Sequence, residues 1–560
     1  MTKFRKTVLS LSVLAAVGGA VSSVQAVNLA SDGLGDVLLF PYYTTRNEWQ
    51  TLIHLVNTSF THTVVAKVRF QEAQNTRDVL DFNVVMSPND VWTGWIEDDV
   101  SGTPYLHSTD STCTSPNLHD VVKFPNGFPF SSVAYGGGSL ERAKEGHITV
   151  IEMGASNNAG LTSINAAAKA KNCTAVDNGF SPFVNSAGVI PINTTSDEFG
   201  EPLNVLKGSF AMIRLEKGLS VGGSPTTLAN FFTPCSAGGT VCTVNNAASG
   251  QNVDGAKTAS GNGGVAANFG ITNLIVAQQY PDFLLPTLGD ANPRVSMIQD
   301  DTTLKLQTPR VDIWANGVDA VSAVLMRSNV INEWSSNLTN GAETYWVVSF
   351  PTKLHYVDEN AQPTPEEITG MLVPVDPANV QPTFIGTRAT TNPVAAAKPA
   401  APFTKIWTDT TFSCDTVTFN LWDRSEGGTT TGGTSISPAP PTPATSICYE
   451  VNVLAFNTTG TDPVFSSNVA KTINTSTLVS KEPYGWMNMA LPTNPVNTIA
   501  GTSTTPLGAA NTYAGLPVIG YTIWSRSFSP TDKTKNYGHL VDHSFKRAVT
   551  PHLMGCCSQF

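Results

Sequence analysis

Histidine, serine and acidic side chains stand at several places in this chain where their spacing could support chemistry. His539 and His543 are four residues apart, and on a helix both imidazoles would share one face and could bind a metal ion. The segment shows little helical periodicity, so we interpret both as ordinary strand or surface histidines. Ser220 lies in the G-x-S-x-G motif of residues 218–222. A nucleophilic serine there needs a strand before it and a helix after it, which the flanking residues do not predict.

Two acidic clusters are candidate calcium sites. They are Glu97, Asp98 and Asp99, and further along the chain Asp300 with Asp301. Calcium prefers carboxylate oxygens, yet neither cluster has the alternating acidic spacing of a dedicated calcium loop. Solvated turns are the alternative interpretation. No other metal and no other cofactor is predicted.

The ten tryptophans raise the question of sugar stacking. Trp49, Trp92, Trp95 and Trp346 lie in or beside apolar strands, where aromatic residues are expected to fill the core, and glycan binding is the alternative. The carboxylate pair of a glycosidase cannot be located from sequence, because Asp and Glu are numerous enough for pairs to arise by chance.

Eight cysteines follow an apparent export signal, and an even number in that context favours disulfides. Cys235 and Cys242 close a short Gly-rich loop and form the safest local pair. A bond between Cys113 and Cys173 would join two polar excursions of the chain. The full set of disulfide candidates is Cys113, Cys173, Cys235, Cys242, Cys414, Cys448, Cys556 and Cys557.

The pairing of Cys414 and Cys448 conflicts with a predicted hairpin. If residues 417–423 and 447–456 pair around the insert between them, the two sulfurs lie near opposite ends of the hairpin, too far apart for a bond. Either the hairpin or the disulfide is then wrong. One alternative pairs Cys414 or Cys448 with Cys556 or Cys557 in the C-terminal tail.

Residues 1–26 have the pattern of a cleaved export signal. Lys3, Arg5 and Lys6 precede a short apolar run, and small residues end at Ala26, so the mature chain is expected to begin at Val27. No later apolar run approaches the length of a membrane-spanning helix. The net charge of −11 argues against nucleic acid and against an anionic membrane surface as partners.

The apolar pattern predicts a mainly β protein. Close, regularly spaced strands are expected at residues 37–43, 51–57, 63–72, 79–86 and 91–96, separated by polar turns. This spacing favours an antiparallel, immunoglobulin-like sandwich with long polar insertions. Later strands are predicted at 146–153, 209–215, 344–350, 448–456 and 517–524, and one helix near 316–334.

Composition suggests how the chain is divided. We predict an N-terminal sandwich domain at 27–230, a Gly- and Asn-rich loop or linker at 231–270 and a mixed region at 271–390. A Pro- and Ala-rich linker at 391–404 and a C-terminal β-rich region at 405–560 follow. The Thr-, Gly- and Pro-rich stretch 425–446 is predicted to be an exposed loop or disordered.

Several segments resemble a family of exported bacterial proteins described as cell-surface or hypothetical proteins. The segments are GLGD at 33–36, FPYY at 40–43, KVRF at 67–70, DVLDFN at 78–83, SPNDVW at 87–92, WVVSFPTK at 346–353 and GLPVIG at 515–520. The resemblance implies a surface location and carries no catalytic residues.

Together these features predict a non-catalytic exported structural or interaction protein of the cell surface, such as a component of a surface layer, a fibre or an adhesion. The partners it favours are further copies of the chain or a surface polysaccharide. A secreted glycan-active hydrolase or glycan-binding protein, and a periplasmic ligand-binding protein, are the alternatives.

Overall fold

The computed structural model describes seventeen stretches of the chain. They are residues 27–132, 135–156, 163–180, 199–200, 202–231, 290–291, 312–313, 317–336, 341–358, 398–408, 411–424, 428–430, 445–456, 465–475, 483–501, 511–527 and 532–550. The predicted signal at 1–26, the calcium candidates Asp300 and Asp301, and Cys235, Cys242, Cys556 and Cys557 lie outside these residues.

Fourteen strands and two helices make up the described part of the N-terminal half, residues 27–231. In chain order they are β1 (Asn28–Leu29), β2 (Val37–Thr44), β3 (Gln50–Asn57), β4 (Val64–Glu72), β5 (Asp78–Met86), β6 (Val91–Asp98), β7 (Pro104–His107), β8 (Cys113–Ser115), β9 (Phe128–Pro129), β10 (Glu145–Ser156), α1 (Ser163–Lys169), α2 (Cys173–Phe180), β11 (Phe199–Gly200), β12 (Leu206–Arg214), β13 (Leu219–Gly223) and β14 (Thr226–Ala229).

These strands form two antiparallel sheets. Sheet 1 has the order β1-β14-β2-β10-β4-β5-β8, with β11 beside β10, and sheet 2 has the order β13-β12-β3-β6-β7-β9. Strand β12 shows the alternation of a sheet with one wet face: Leu206, Phe210 and Met212 are buried and their neighbours are more exposed. The five strands expected between residues 37 and 96 are all present.

The rest of the described chain adds a second set of strands and two α-helices. They are β15 (Asp290–Ala291), β16 (Asp312–Ile313), α3 (Gly317–Leu325), β17 (Met326–Arg327), β18 (Asn329–Ser335), β19 (Ala342–Ser349), α4 (Leu354–Val357), β20 (Asp415–Asp423), β21 (Gly428–Thr430), β22 (Thr445–Ile447), β23 (Val451–Phe456), β24 (Ala470–Ile473), β25 (Tyr484–Ala490), β26 (Thr498–Ala500), β27 (Thr512–Ala514), β28 (Leu516–Pro517), β29 (Ile519–Arg526), β30 (Tyr537–Asp542), β31 (Ser544–Lys546) and β32 (Ala548–Thr550).

Two larger sheets organise this C-terminal half, residues 317–550. Sheet 3 has the order β21-β20-β25-β18-β31, with β22 beside β20, and sheet 4 has the order β24-β23-β19-β29-β30. Three small sheets, β15-β16, β17-β28 and β26-β27-β32, complete the set. Among the described strands, β23 and β24 form the one parallel pair. The prediction of a mainly β, antiparallel sandwich fold is confirmed.

The two halves share their hydrophobic cores. One core lies between sheets 1 and 2 and takes Leu38 and Phe40 from β2, together with Val347 from sheet 4. The other lies between sheets 3 and 4 and takes Val37 from β2, together with Val348 and helix α3. Successive residues of β2 and of β19 therefore point into different cores, which is why both strands are buried on both faces.

A four-strand unit occurs once in each half. In the first half β3 pairs with β12, and β4 pairs with β10 in the facing sheet. In the second half β18 pairs with β25, and β19 pairs with β23, in the same chain order. The two halves thus share this pattern of strand pairing.

The helix predicted near 316–334 is correct only in its first part. Helix α3 ends at Leu325, and β18 follows from Asn329 to Ser335. Val330 and Trp334 are buried in the core while Ile331 and Glu333 are less buried, a period of two that fits a strand. The apolar residues of 318–325 have the spacing of a helix. Those of the strand that follows also fit one face of a helix, so the sequence pattern does not show where the helix ends.

The predicted hairpin of residues 417–423 with 447–456 is wrong. β20 pairs instead with β22, so that Asp415 lies opposite Ile447, and β23 pairs with β19 in sheet 4. Cys414 and Cys448 are then adjacent and form a disulfide with a Cα–Cα distance of 3.8 Å. The alternative pairing with Cys556 or Cys557 is also wrong. The six residues of β23 are all buried, because this strand lies inside a sheet that is covered on both faces.

Ion pairs and hydrogen bonds across the junction fix one half against the other. Glu145 accepts hydrogen bonds from Tyr42 and Arg46 of its own half, and from the Ser467 hydroxyl and the Asn468 backbone N–H of the other half. The end of the predicted linker at 391–404 is also packed into the fold, because Phe403 is buried against Phe350 and Tyr356.

Candidate functional site

An open polar cleft of about 510 Å³ lies where the loop after β7 meets the start of α2. Its volume is in the range of small-ligand sites. Most of its lining side chains carry a hydroxyl, amide or charged group; the lining residues are Thr109, Asp110, Ser111, Asn117, His119, Lys171, Asn172, Cys173 and Thr174.

A disulfide holds the two walls of the cleft together. Cys113 in β8 is bonded to Cys173 at the first position of α2, with a Cα–Cα distance of 4.8 Å, which confirms that predicted pair. The Ser115 hydroxyl donates to the Asp177 carboxylate at 2.8 Å, a second link between β8 and α2. The Asn172 side chain accepts from the Ala175 N–H and so caps the helix N-terminus. The cleft is therefore built on a fixed frame.

The charged side chains at the cleft are held by protein partners. The Asp110 carboxylate accepts from the Thr112 N–H at 2.8 Å and from the Thr93 hydroxyl at 3.3 Å. Lys171 forms an ion pair with Asp90 at 2.5 Å. These contacts orient both groups before any ligand arrives.

Aromatic side chains on the outer face of sheet 2 lead towards this cleft. Trp95 in β6 lies opposite His107 in β7, and their rings stack with centroids 5.3 Å apart. The Trp95 indole N–H donates to Glu97 at 3.0 Å, and Tyr105 lies beside His107 with ring centroids 6.2 Å apart. We call Trp95, His107 and Tyr105 the aromatic strip.

Burial lowers the pKa of His107 below its ordinary value, although the nearby Glu97 acts in the opposite direction. The imidazole is therefore mainly neutral at pH 7. The aromatic strip presents an uncharged stacking surface beside a carboxylate that is already hydrogen-bonded.

A second exposed aromatic pair lies on sheet 3. Trp422 and Trp486 are opposite each other on β20 and β25, with ring centroids 3.9 Å apart and planes 11° apart. At that spacing each ring covers one face of the other. The pair thus stacks mainly upon itself.

The acidic cluster at 97–99 is divided among different partners. Glu97 accepts from Trp95, Asp98 forms an ion pair with Lys144 at 3.0 Å, and Asp99 accepts from the Ser101 and Thr103 N–H groups of its turn. A hydrogen bond from the Ser101 hydroxyl, together with these backbone N–H groups, lowers the pKa of Asp99. Within the described part of the chain no three His, Cys, Asp or Glu residues are placed to hold a metal ion.

The tryptophans expected in the core divide into two groups. Trp49, Trp92 and Trp346 are at most 1% exposed, which confirms the core interpretation for them. Trp95 is half-buried and its ring lies on the outer face of sheet 2, so the core interpretation is wrong for this residue. The strand alternation explains the difference, because Trp92 and Trp95 are three residues apart and point to opposite faces.

The remaining candidate side chains are far from forming a catalytic group. His539 is exposed on β30, whereas His543 is buried with its ring nitrogens near Asn332 and the Val347 carbonyl, and burial lowers its pKa to about 3. The segment is a strand and not a helix, in agreement with the favoured interpretation of the sequence. Ser220 is exposed in the edge strand β13, with no helix after it.

Sequence reasoning missed the cleft residues Asp110, His119 and Lys171. Their types are common, and only the fold brings residues 109–119 next to 171–174. The predicted Cys113–Cys173 bond was the available signal, because it places these two polar segments side by side.

Comparison of the chain with protein-family models, curated proteins and solved structures gave no match. The described helices include none long and apolar enough to cross a bilayer. The cleft and its surroundings are therefore the features from which a function can be inferred.

Proposed function

We propose that this chain is a non-catalytic interaction protein exported to the cell surface, where it serves in a surface layer, a fibre or an adhesion. The observation that supports the proposal is that protein partners hold the charged side chains of the cleft in place. Asp110 and Lys171 are each held by protein partners, at Thr112 with Thr93 and at Asp90.

Such an arrangement suits recognition better than catalysis. A nucleophile or a general base needs a partner that passes or takes a proton during the reaction, and its geometry includes that partner. The Lys171 ammonium is instead neutralised by Asp90, and the Asp110 carboxylate serves as an acceptor for its own loop. Groups fixed in this way orient a ligand at low entropic cost.

The two disulfides of the described residues support export, because such bonds persist in oxidising compartments and are rare in the cytosol. Edge strands offer less support for assembly by strand addition. The described edges β9, β31 and β21 have two or three residues, and short edges resist pairing with another chain. The longer edges β13 and β30 lie against each other, with Gly538 beside Ser220 and Val221, and β24 has four residues. Side-chain surfaces such as the cleft are the favoured contact sites.

Two measurements on the natural chain test this proposal. Immunogold labelling of intact and of permeabilised cells locates the protein, and a reducing-end assay on soluble polysaccharides measures turnover by the purified chain of residues 27–560. Labelling of intact cells without turnover is the expected result. Labelling only after permeabilisation would contradict the surface location and favour a periplasmic binding protein. Turnover that is lost in Asp110→Asn would contradict the non-catalytic role and favour the hydrolase.

A further inference from the structure

The aromatic strip and the cleft form one continuous surface. The Thr93 hydroxyl donates to the Asp110 carboxylate at 3.3 Å, and the Thr93 carbonyl accepts from the Ser108 hydroxyl at 2.7 Å. Trp95 follows Thr93 by two residues on the same face of β6, about 7 Å further along the strand. The stacking surface of Trp95 and His107 therefore leads directly to the polar lining around Asp110.

One end of this surface is formed by the rings of Trp95 and His107, and the other end is rich in hydrogen-bonding groups. The Trp95 indole N–H is bonded to Glu97 and one face of its ring is covered by His107, which leaves the other face for apolar contact. The cleft then offers a carboxylate, two amides and several hydroxyls within a small volume. A ligand that fits must combine flat C–H surfaces with closely spaced hydroxyl groups.

Charge narrows the class of ligand further. The carboxylates of Glu97 and Asp110 would repel an anion, and Asp90 neutralises Lys171. Glu97 and Asp110 accept from neutral donors and keep their negative charge, so a cationic peptide is the competing class of ligand. The hydroxyl and amide side chains of the cleft outnumber its one carboxylate, which favours a neutral, polyhydroxylated molecule.

We infer that this surface binds a neutral oligosaccharide, with a pyranose ring against Trp95 and the next sugar in the cleft, where its hydroxyls bond Asp110 and Asn172. The inference rests on the proposed function, to which it adds the ligand class. The disulfide between Cys113 and Cys173 fixes α2 against β8 and so holds Asn172 in place at the cleft subsite.

Isothermal titration calorimetry of residues 27–560 with disulfides intact tests this site. The neutral probes are cellohexaose, laminarihexaose and mannohexaose, and the charged probes are hexagalacturonate and hexalysine. We expect at least one neutral hexasaccharide to bind. Trp95→Ala and Asp110→Asn should each weaken that binding by about tenfold or more, as loss of a central aromatic or hydrogen-bonding contact does.

Trp486→Ala is the matched control, because Trp486 is an exposed tryptophan on the other sandwich, 38% exposed on sheet 3. It should leave the affinity unchanged, and circular dichroism should show all three variants folded. No binding of any neutral probe would overturn the inference. So would tighter binding of hexagalacturonate or hexalysine, or a loss of affinity in Trp486→Ala with none in Trp95→Ala.

The two proposals fail in different ways. Surface labelling without sugar binding would overturn the oligosaccharide site and leave the interaction role in place. Sugar binding accompanied by cleavage of the bound chain would overturn the non-catalytic role while retaining the site. Titration and turnover are measured on the same preparation, so the two outcomes are separable.

Discussion

Lys353 and Asp415 form an ion pair at 3.0 Å in which each side chain is 1% exposed. Lys353 also donates to the Ser413 carbonyl at 2.6 Å, next to the Cys414–Cys448 bond. A buried ion pair stabilises a fold little more than an apolar pair of the same volume would. A single buried charge without its partner, however, is strongly destabilising. The pair therefore fixes which residues meet at this point of the C-terminal core.

Removing one partner should expose that cost. We expect Lys353→Met to lower the free energy of unfolding by about 3–5 kcal/mol, because it leaves the Asp415 carboxylate buried without a counter-charge. The double variant Lys353→Met with Asp415→Leu should recover most of the loss. Chemical denaturation followed by circular dichroism measures both. Equal destabilisation of the single and double variants would contradict this account.

Glu152 is a buried acid of a different kind. It is fully buried in β10, and its carboxylate accepts from the Leu203 N–H at 2.7 Å and the Val205 N–H at 3.3 Å. Burial, with a further contribution from the neighbouring charge of Asp36, raises the pKa of Glu152 to about 8, against the opposing effect of those N–H groups. The folded chain thus keeps a proton that the unfolded chain has lost at neutral pH.

This difference predicts a pH dependence of stability. Between pH 4.5 and about 8 the folded state binds more protons at this position, so the Glu152 contribution to stability falls as the pH rises through that window. Glu152→Gln should remove this fall, and the stability of the variant relative to the natural chain should increase by a few kcal/mol across the window. Thermal denaturation at several pH values measures the difference. The exposed Glu216→Gln is the control. Parallel curves for the natural chain and Glu152→Gln would refute the assignment.

At the level of elements, local pattern was a good guide where strands follow one another closely. β2 to β6 lie within a residue or two of the predicted ranges, since each is an apolar segment bounded by polar turn residues, and β3 and β6 alternate between core and outer face. The sequence does not show in the same way which strands pair with each other. β23 is apolar on both faces, and nothing in its own residues shows that it pairs with β19 and not with β20.

The candidate site was predictable only through its disulfide. The sequence identifies Cys113 and Cys173 as a pair, but the types of Asp110 and His119 give no sign of a shared cleft. Apolar neighbours predict a core position for Trp95, whereas the alternation of β6 puts it on the face opposite to Trp92. Long-range pairing decides which loops meet at the cleft, and no local pattern specifies it.

The two disulfides allow a comparison between stability and function. The Cys113–Cys173 bond spans 60 residues and the Cys414–Cys448 bond spans 34. Replacing either pair with alanine should cost about 4 kcal/mol, because the unfolded chain regains loop freedom. Only the first double variant should also weaken oligosaccharide binding, since it releases α2 from the cleft. Denaturation and calorimetry on both variants measure this. Equal losses of affinity would show that the effect is global.

At the level of the whole molecule, the halves depend on each other. Trp49 stacks on Phe465 and Phe210 stacks on Tyr521, with ring centroids 5.0 and 5.5 Å apart. Arg77 binds Asp358 across the same junction at 2.7 Å, and the Val451 N–H donates to the Ala73 carbonyl. Because each core takes residues from both halves, neither sandwich can be removed without opening the other.

Calorimetry should show this dependence directly. We expect the chain of residues 27–560 to unfold in one main transition, and the separate fragment 27–231 to show no cooperative transition of its own. The fragment would expose the face of sheet 1 that carries Val37, Leu39 and Ile151, which the C-terminal half normally shares in its core. Two well-separated transitions in the full chain, or a stable fragment, would contradict the shared-core description.

The alternation of β2 between two cores also has a consequence for the chain as it is made. Synthesis proceeds from the N-terminus, so sheet 1 is complete after residue 231, while α3 and sheet 4 are still missing. Its second face, with Val37, Leu39 and Ile151, stays exposed to solvent until more than a hundred further residues have been synthesised. We expect a nascent chain with this exposed apolar face to be prone to aggregation during that interval.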